Sequence, residues 1–198
     1  MEDIKYMVKP EWVTWEAIKE CLMKAHQPNR EKGIVMHNQF MSPEEFESHL
    51  KDAHCFVALK GKDVIGFMAF KILKCKKWWA KNQEVIYNCM DAIIPEYQGS
   101  DVYLELRRFR EKHIKETGLR IIQSMTAENN YMIQKISTKR GGRNVRFIAT
   151  SDTDYYSVVM VRWLDGCPFS DNYINFRFKL SKFLTKLLFK PGKKRRFL

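Results

Sequence analysis

The stretch Ile93-Ile94-Pro95-Glu96-Tyr97-Gln98-Gly99-Ser100-Asp101-Val102 decides how this chain is read. Upstream, Val85 to Ile94 reads as a strand. Downstream, a helix is expected from about Asp101 to Thr117, closed by Gly118, a residue suited to the left-handed conformation past a helix end. A strand that ends at a proline, turns through Tyr97-Gln98-Gly99-Ser100 and runs directly into a helix presents free backbone N–H groups to an anion. The helix dipole adds favourable potential at the same point. Gly99 permits close backbone approach or a positive φ. The segment therefore has the makings of a phosphate cradle.

On the N-terminal side, Ile4 to Val8 reads as a short strand, followed by Pro10 and an amphipathic helix carrying Trp12, Trp15, Ile18, Leu22 and Met23. Ser42-Pro43-Glu44-Glu45 combines a serine cap, a proline at the first helical position and a glutamate three residues after the cap, so a second helix is expected from Pro43 to about Leu50. Cys55–Leu59 and Val64–Phe70, joined by a turn at Lys60-Gly61-Lys62-Asp63, form a hairpin pattern. On the C-terminal side follow a strand from Leu119 to Ser124, a short helix from Asn130 to about Arg140 closed by Gly141-Gly142, and an antiparallel pair, Asn144–Ala149 and Tyr156–Trp163. The order β-α-α-β-β-β-α-β-α-β-β implies an α/β (α+β) fold: a mixed, mostly antiparallel sheet with helices on both faces.

The 198 residues suffice for one domain and tail, read as 1–171 and 172–198. A composition 45% hydrophobic and 13% aromatic excludes a disordered chain. The five cysteines are odd in number, widely spaced and lack Cys-x-x-Cys pairing or histidines at ligand spacing, so a reduced, cytoplasmic protein without a metal site is expected. His26, His37, His49, His54 and His113 form no pair and read as surface or packing residues. No stretch reaches the ~20 apolar residues of a bilayer span. The net charge of +12 is uneven. After Asp171 no acidic residue occurs while Lys and Arg contribute nine charges, which leaves the first 171 residues at about +3.

The central segment resembles the coenzyme-A pyrophosphate loop of the GNAT superfamily of acyl-CoA-dependent N-acyltransferases, usually Val-x-Pro-x-Tyr-Arg-Gly-x-Gly-Val-Gly. Ile93, Pro95, Tyr97, Gly99 and Val102 fall on matching positions, with Gln98 in place of arginine. A later family pattern, Asn-x-x-Ala-x-x-Leu-Tyr-x-Lys-x-Gly-Phe, is similar to Asn130, Ile133, Ile136, Ser137, Lys139, Gly141 and Gly142. The resemblance implies transfer of an acyl group, acetyl above all, from acetyl-CoA to a primary amine by direct attack. It gives Ile93 and Ile94 the pantetheine arm and thioester carbonyl, the amides of Gln98, Gly99, Ser100, Asp101, Val102 and Tyr103 the pyrophosphate, and Asn130 the pantetheine or the ordering of the site.

Two positions depart from the pattern. Asp101 stands where the family has glycine or alanine, and a carboxylate ~7 Å from a phosphate charge costs roughly 2 kcal/mol at an effective dielectric near 20 if it points inward. It also suits its own helix start, where a carboxylate complements the dipole or occupies the anion site itself. Ser137 replaces the tyrosine that assists the departing thiolate, and a serine offers a hydrogen bond only. Asp91, two residues before Ile93 and on the same side of a regular strand, is the first candidate base, with Glu128 second. For both, a structural ion pair is the alternative; for Asn130, it is a helix cap. Trp78-Trp79 either lines an acceptor cleft or packs.

From Phe176 to Phe189, Phe176, Leu180, Phe183, Leu184, Leu187 and Leu188 recur at steps of three and four, with Lys179, Lys182, Lys186 and Lys190 on another face, followed by Pro191-Gly192 and Lys193-Lys194-Arg195-Arg196-Phe197-Leu198. This basic amphipathic helix suits packing on the domain or on a second subunit, an anionic membrane surface through residues 176–198, or, less well, nucleic acid. The contrasting function is accordingly a catalytically inactive module that keeps the fold and acts as a membrane or partner adaptor, peripheral at a membrane.

Overall fold

Ser42 Oγ accepts from the Glu45 amide while the Glu45 side chain accepts from the Ser42 amide, closing the reciprocal cap that the sequence predicts. It opens one of six helices in the computed structural model, which describes residues 3–31, 41–150, 153 and 155–191. His37, Gly192 and the run from Lys193 to Leu198 lie outside the described residues. The elements among the described residues are β1 (Ile4–Val8), α1 (Trp15–Ala25), α2 (Gln27–Glu31), α3 (Pro43–Leu50), β2 (His54–Lys60), β3 (Asp63–Cys75), β4 (Gln83–Ile93), a 3-10 turn (Pro95–Tyr97), α4 (Val102–Glu116), β5 (Ile121–Ala127), α5 (Tyr131–Lys139), β6 (Arg143–Ala149), β7 (Tyr156–Trp163) and α6 (Asp171–Leu188).

The strands follow the order β1-β2-β3-β4-β5-β7-β6 in one seven-stranded sheet. The β1–β2, β2–β3, β5–β7 and β6–β7 pairs are antiparallel and the β4–β5 pair is parallel, the mixed, mostly antiparallel sheet expected. The β4–β5 ladder is only two residue pairs long, Ile86 opposite Ile122 and Tyr87 opposite Gln123.

By their contacts the residues form two units, 1–72 with 88–119, and 73–87 with 120–198. In the first, alternation along the strands sends Cys55, Val57, Leu59, Phe67, Ala69, Met90 and Ala92 to one face, where Ile18, Cys21 and Leu22 of α1 and Phe46 and Leu50 of α3 cover them. Phe56 projects to the other face and meets Phe109 and His113 of α4 edge-on and tilted. Helices on both faces follow from that alternation. In the second, Val85, Ile121, Val159 and Val161 pack with Trp79, Trp163 and Ile174, while Phe147, Val158 and Met160 form a smaller cluster with Ile133 and Phe178.

Several boundaries differ from the expected ones. α1 begins at Trp15 behind a Thr14 cap, which leaves Trp12 outside the helix and 56% exposed. α2 has no counterpart in the sequence pattern, because five residues containing Pro28 show no apolar period. α6 begins at Asp171, capped by Ser170, rather than at Phe176.

Candidate cofactor loop and catalytic residues

The loop after β4 is built by local hydrogen bonds. Pro95 enters the 3-10 turn, the Tyr97 and Gln98 amides donate to Ile94 O and Pro95 O, and Gly99 takes φ +84° with nothing near its absent side chain. Of the two reasons for a glycine there, positive φ is the operative one. Ser100 Oγ donates to Tyr97 O and accepts from the Val102 amide. The Gln98 side chain, standing where the family has arginine, donates to Ile93 O at 2.9 Å and to Ala25 O at 3.4 Å, tying the turn to β4 and to the end of α1. The amides of Gly99, Asp101, Tyr103 and Leu104 have no partner among the described residues. They stand at the positive end of a 15-residue helix, the donors an anion requires.

Asp101 is the N-cap of α4 by position, yet its side chain makes no cap hydrogen bond and is exposed. The carboxylate therefore does not occupy the anion site from within; its effect on a ligand is through charge. Glu105 of the first turn is paired with Arg108, and the Lys60 ammonium stands 5.7 Å over the Tyr97 ring.

Asp91 faces α4. Arg110 Nη1 reaches both its oxygens, at 3.1 and 3.3 Å, and Arg110 is only 3% exposed. Arg110 Nε is buried without a partner, so the guanidinium is incompletely satisfied. Tyr103, whose amide belongs to the loop, turns its ring toward the same cluster; burial, then the Asp91 charge, push its phenol above the ordinary tyrosine range. The sequence signal for Arg110 is the buried stripe of α4: Val102, Leu106, Arg110 and Ile114 recur at steps of four, and an arginine on such a stripe calls for a carboxylate partner, here the half-buried Asp91.

The remaining candidates lie in the second unit. Glu128 accepts from Lys182 Nζ at 2.9 Å and Lys186 Nζ at 3.2 Å. Partial burial would raise its carboxyl, but the two ammonium bonds outweigh it and hold the group below its ordinary range. Asn130 caps α5, its side chain accepting from the Ile133 amide at 3.3 Å. Ser137 closes the end of α5: its carbonyl accepts from the Arg140 and Gly142 amides, and a Cβ at residue 142 would meet Ser137 Oγ at 2.2 Å and Ser137 O at 2.8 Å. Gly142 is thus required by the close return of the chain over Ser137.

A cavity of about 300 Å³ in the second unit is lined by Trp79, Tyr87, Gln123, Arg146 and the Leu73–Lys77 segment. Gln123 Oε1 accepts from Trp79 Nε1 at 3.0 Å, and Trp79 is buried. Trp78 packs edge-on against Trp79, Phe169 and Tyr173. None of the residues assigned to cofactor or catalysis lines this cavity. Among the described residues no group of three or more His, Cys, Asp or Glu side chains is placed to hold a metal ion.

Solved structures of acetyltransferases carry the same fold as this chain. The ribosomal-protein-S18-alanine N-acetyltransferase of Escherichia coli superposes with a TM-score of 0.61 at 12% identity over 86% of this chain and 98% of that one. An N-acetyltransferase of Staphylococcus aureus Mu50 gives 0.63 at 14% identity over 82% and 99%. A GNAT family acetyltransferase of Elizabethkingia anophelis, solved with acetyl-CoA bound, gives 0.58 at 12% over 83% and 100%. The chain has the GNAT fold. No protein-family description and no curated protein matches its sequence.

Proposed function

We propose that the chain is an N-acetyltransferase that moves the acetyl group of acetyl-CoA to a primary amine. The observation that carries this reading is the set of uncommitted amides at Gly99, Asp101, Tyr103 and Leu104, where a pyrophosphate can be held without displacing any protein bond. The co-substrate supplies the activated thioester. The chain's part is to hold its pyrophosphate at the uncommitted amides of Gly99, Asp101, Tyr103 and Leu104, with the pantetheine arm beside Ile93 and Ile94, and to bring the amine up neutral; the amides of Gln98, Ser100 and Val102, which the sequence also offers, are committed to Pro95 O, Tyr97 O and Ser100 Oγ. No covalent enzyme intermediate is required.

Of the two carboxylates, Asp91 is assigned the proton. It contacts one guanidinium nitrogen and keeps acceptor capacity, whereas two ammonium groups bond Glu128 and weaken it as a base. Ser137 contributes at most a hydrogen bond to the leaving thiolate, and Asn130 orders the start of α5.

Thermal unfolding with acetyl-CoA tests the reading. Ligand at a hundred times its dissociation constant stabilises a protein by about 2.7 kcal/mol, so a clear rise in Tm is expected. Asp101→Asn removes a charge beside the loop and should tighten binding; from an exposed position the gain is a few-fold, short of the roughly 2 kcal/mol of an inward-pointing carboxylate. No shift at millimolar cofactor, for the parent and for Asp101→Asn alike, refutes cofactor binding.

A further inference from the structure

α6 packs by its lesser face and leaves its greater apolar face outward. Ile174, Phe178, Ser181 and Thr185 turn inward, and Ser181 Oγ both accepts from the Phe147 amide at 2.8 Å and donates to Phe147 O at 3.0 Å, joined there by Thr185 Oγ1 at 2.9 Å. The opposite face carries Phe176, Leu180, Phe183 and Leu187 at steps of four, three and four, with 62, 41, 64 and 67% of their surface exposed. Isolated exposed apolar residues are ordinary, but a contiguous stripe three turns long marks an interaction surface.

The charges beside the stripe say what covers it. Lys179, Lys182 and Lys186 run along one flank and Arg177 lies on the other. Lys182 and Lys186 share the single Glu128 carboxylate, so one of their two charges is uncompensated. No acidic residue follows Asp171, and the sequence continues beyond α6 with Lys190, Lys193, Lys194, Arg195 and Arg196.

We infer that α6 docks in the plane of an anionic lipid bilayer, with Phe176, Leu180, Phe183 and Leu187 entering the acyl boundary and the lysines reaching the phosphates. A bilayer supplies an apolar phase and an adjoining layer of negative charge, the two things this face lacks. A second copy of the chain supplies only the first: two such stripes face to face bring cationic flank against cationic flank, and the one Glu128 carboxylate of each flank is already shared by two lysines. Nucleic acid supplies only the second and leaves the phenylalanines in water. No described helix is long and apolar enough to cross a membrane, so attachment is at the surface. This inference stands independently of the acetyltransferase reading.

Co-sedimentation of the full chain with vesicles of phosphatidylcholine alone, or mixed with phosphatidylglycerol, tests it. Binding to the mixed vesicles should exceed binding to the neutral ones more than tenfold and weaken as salt is raised. Phe183→Ser with Leu187→Ser, and separately Lys179→Glu with Lys190→Glu, should each lose more than tenfold while unfolding at the parent's Tm, since all four side chains are exposed. Equal binding to neutral vesicles overturns the proposal, as does undiminished binding by the Phe183→Ser, Leu187→Ser variant. So does a dimer in sedimentation equilibrium that this same variant disperses.

Discussion

Gly66 and Ile93 share one space, and that can be measured. A Cβ added at Gly66 would meet Ile93 Cδ1 at 2.3 Å and Ala92 O at 3.3 Å, where carbon atoms normally stand about 3.5–4.0 Å apart. Ile93 is 7% exposed, so its tip must leave its rotamer or push the strand it belongs to. Overpacking of this kind costs about 1–3 kcal/mol. Shortening the partner by Ile93→Val removes the colliding atom and costs about 0.5–1.5 kcal/mol on its own. The double variant Gly66→Ala, Ile93→Val should then be more stable than the sum of the single effects by about 1–2 kcal/mol, because the clash is absent from it. Urea unfolding reads this directly: at a slope near 2 kcal/mol/M, Gly66→Ala should lower the midpoint by about 0.5–1.5 M, and the second substitution should restore part of the loss. Additive single effects would refute the claim that Gly66 is a glycine to make room for Ile93.

Two further outcomes follow from burial and from the α6 contacts. The Cys21 and Cys55 thiols are pushed up to about 12 from an ordinary 9.0, burial being the main cause in each. The folded state then holds protons that the unfolded state releases, so the stabilisation is intact below pH 9 and falls between about pH 9 and 12, by about 1.4 kcal/mol per pH unit for each thiol. Urea midpoints measured across that range in Cys21→Ala with Cys55→Ala should show a shallower alkaline decline, and an equal decline would refute the assignment. Ser181→Ala with Thr185→Ala strips both hydroxyls from Phe147 and should cost about 1–3 kcal/mol, with faster hydrogen exchange at the Phe147 amide; unchanged exchange would mean the edge does not need these caps.

The distribution of what the sequence shows and hides has a physical cause. The Ser42 cap, the hairpin, the Gly99 turn and the Asn130 cap are each decided within a few residues, so each is legible without the fold. The fate of a charged or small side chain is decided by what lies across the sheet or under a helix. Asp91 admits both a catalytic role and a structural one. The ion pair with Arg110 depends on α4 covering that strand face, which no window around Asp91 contains. Gly66 likewise reads as an unremarkable strand residue until β4 is laid beside β3, where Ile94 N donates to Ile65 O and Ile93 fills the gap.

α6 carries the same logic to its consequence. Apolar periodicity alone points to the stripe of Phe176, Leu180, Phe183 and Leu187 as the face that packs. Packing instead answers to the strand order, which ends the sheet at β6 and leaves Phe147 with a backbone donor and acceptor at the edge. An unpaired edge needs hydrogen-bond partners more than it needs another leucine. Ser181 and Thr185 supply them, and as they lie on the side of the helix away from the stripe, satisfying the edge forces the stripe outward. The exposed apolar face is therefore a by-product of a polar requirement, and the large phenylalanines and leucines that it turns outward, beside lysines that outnumber their carboxylate partner, are what the bilayer proposal rests on.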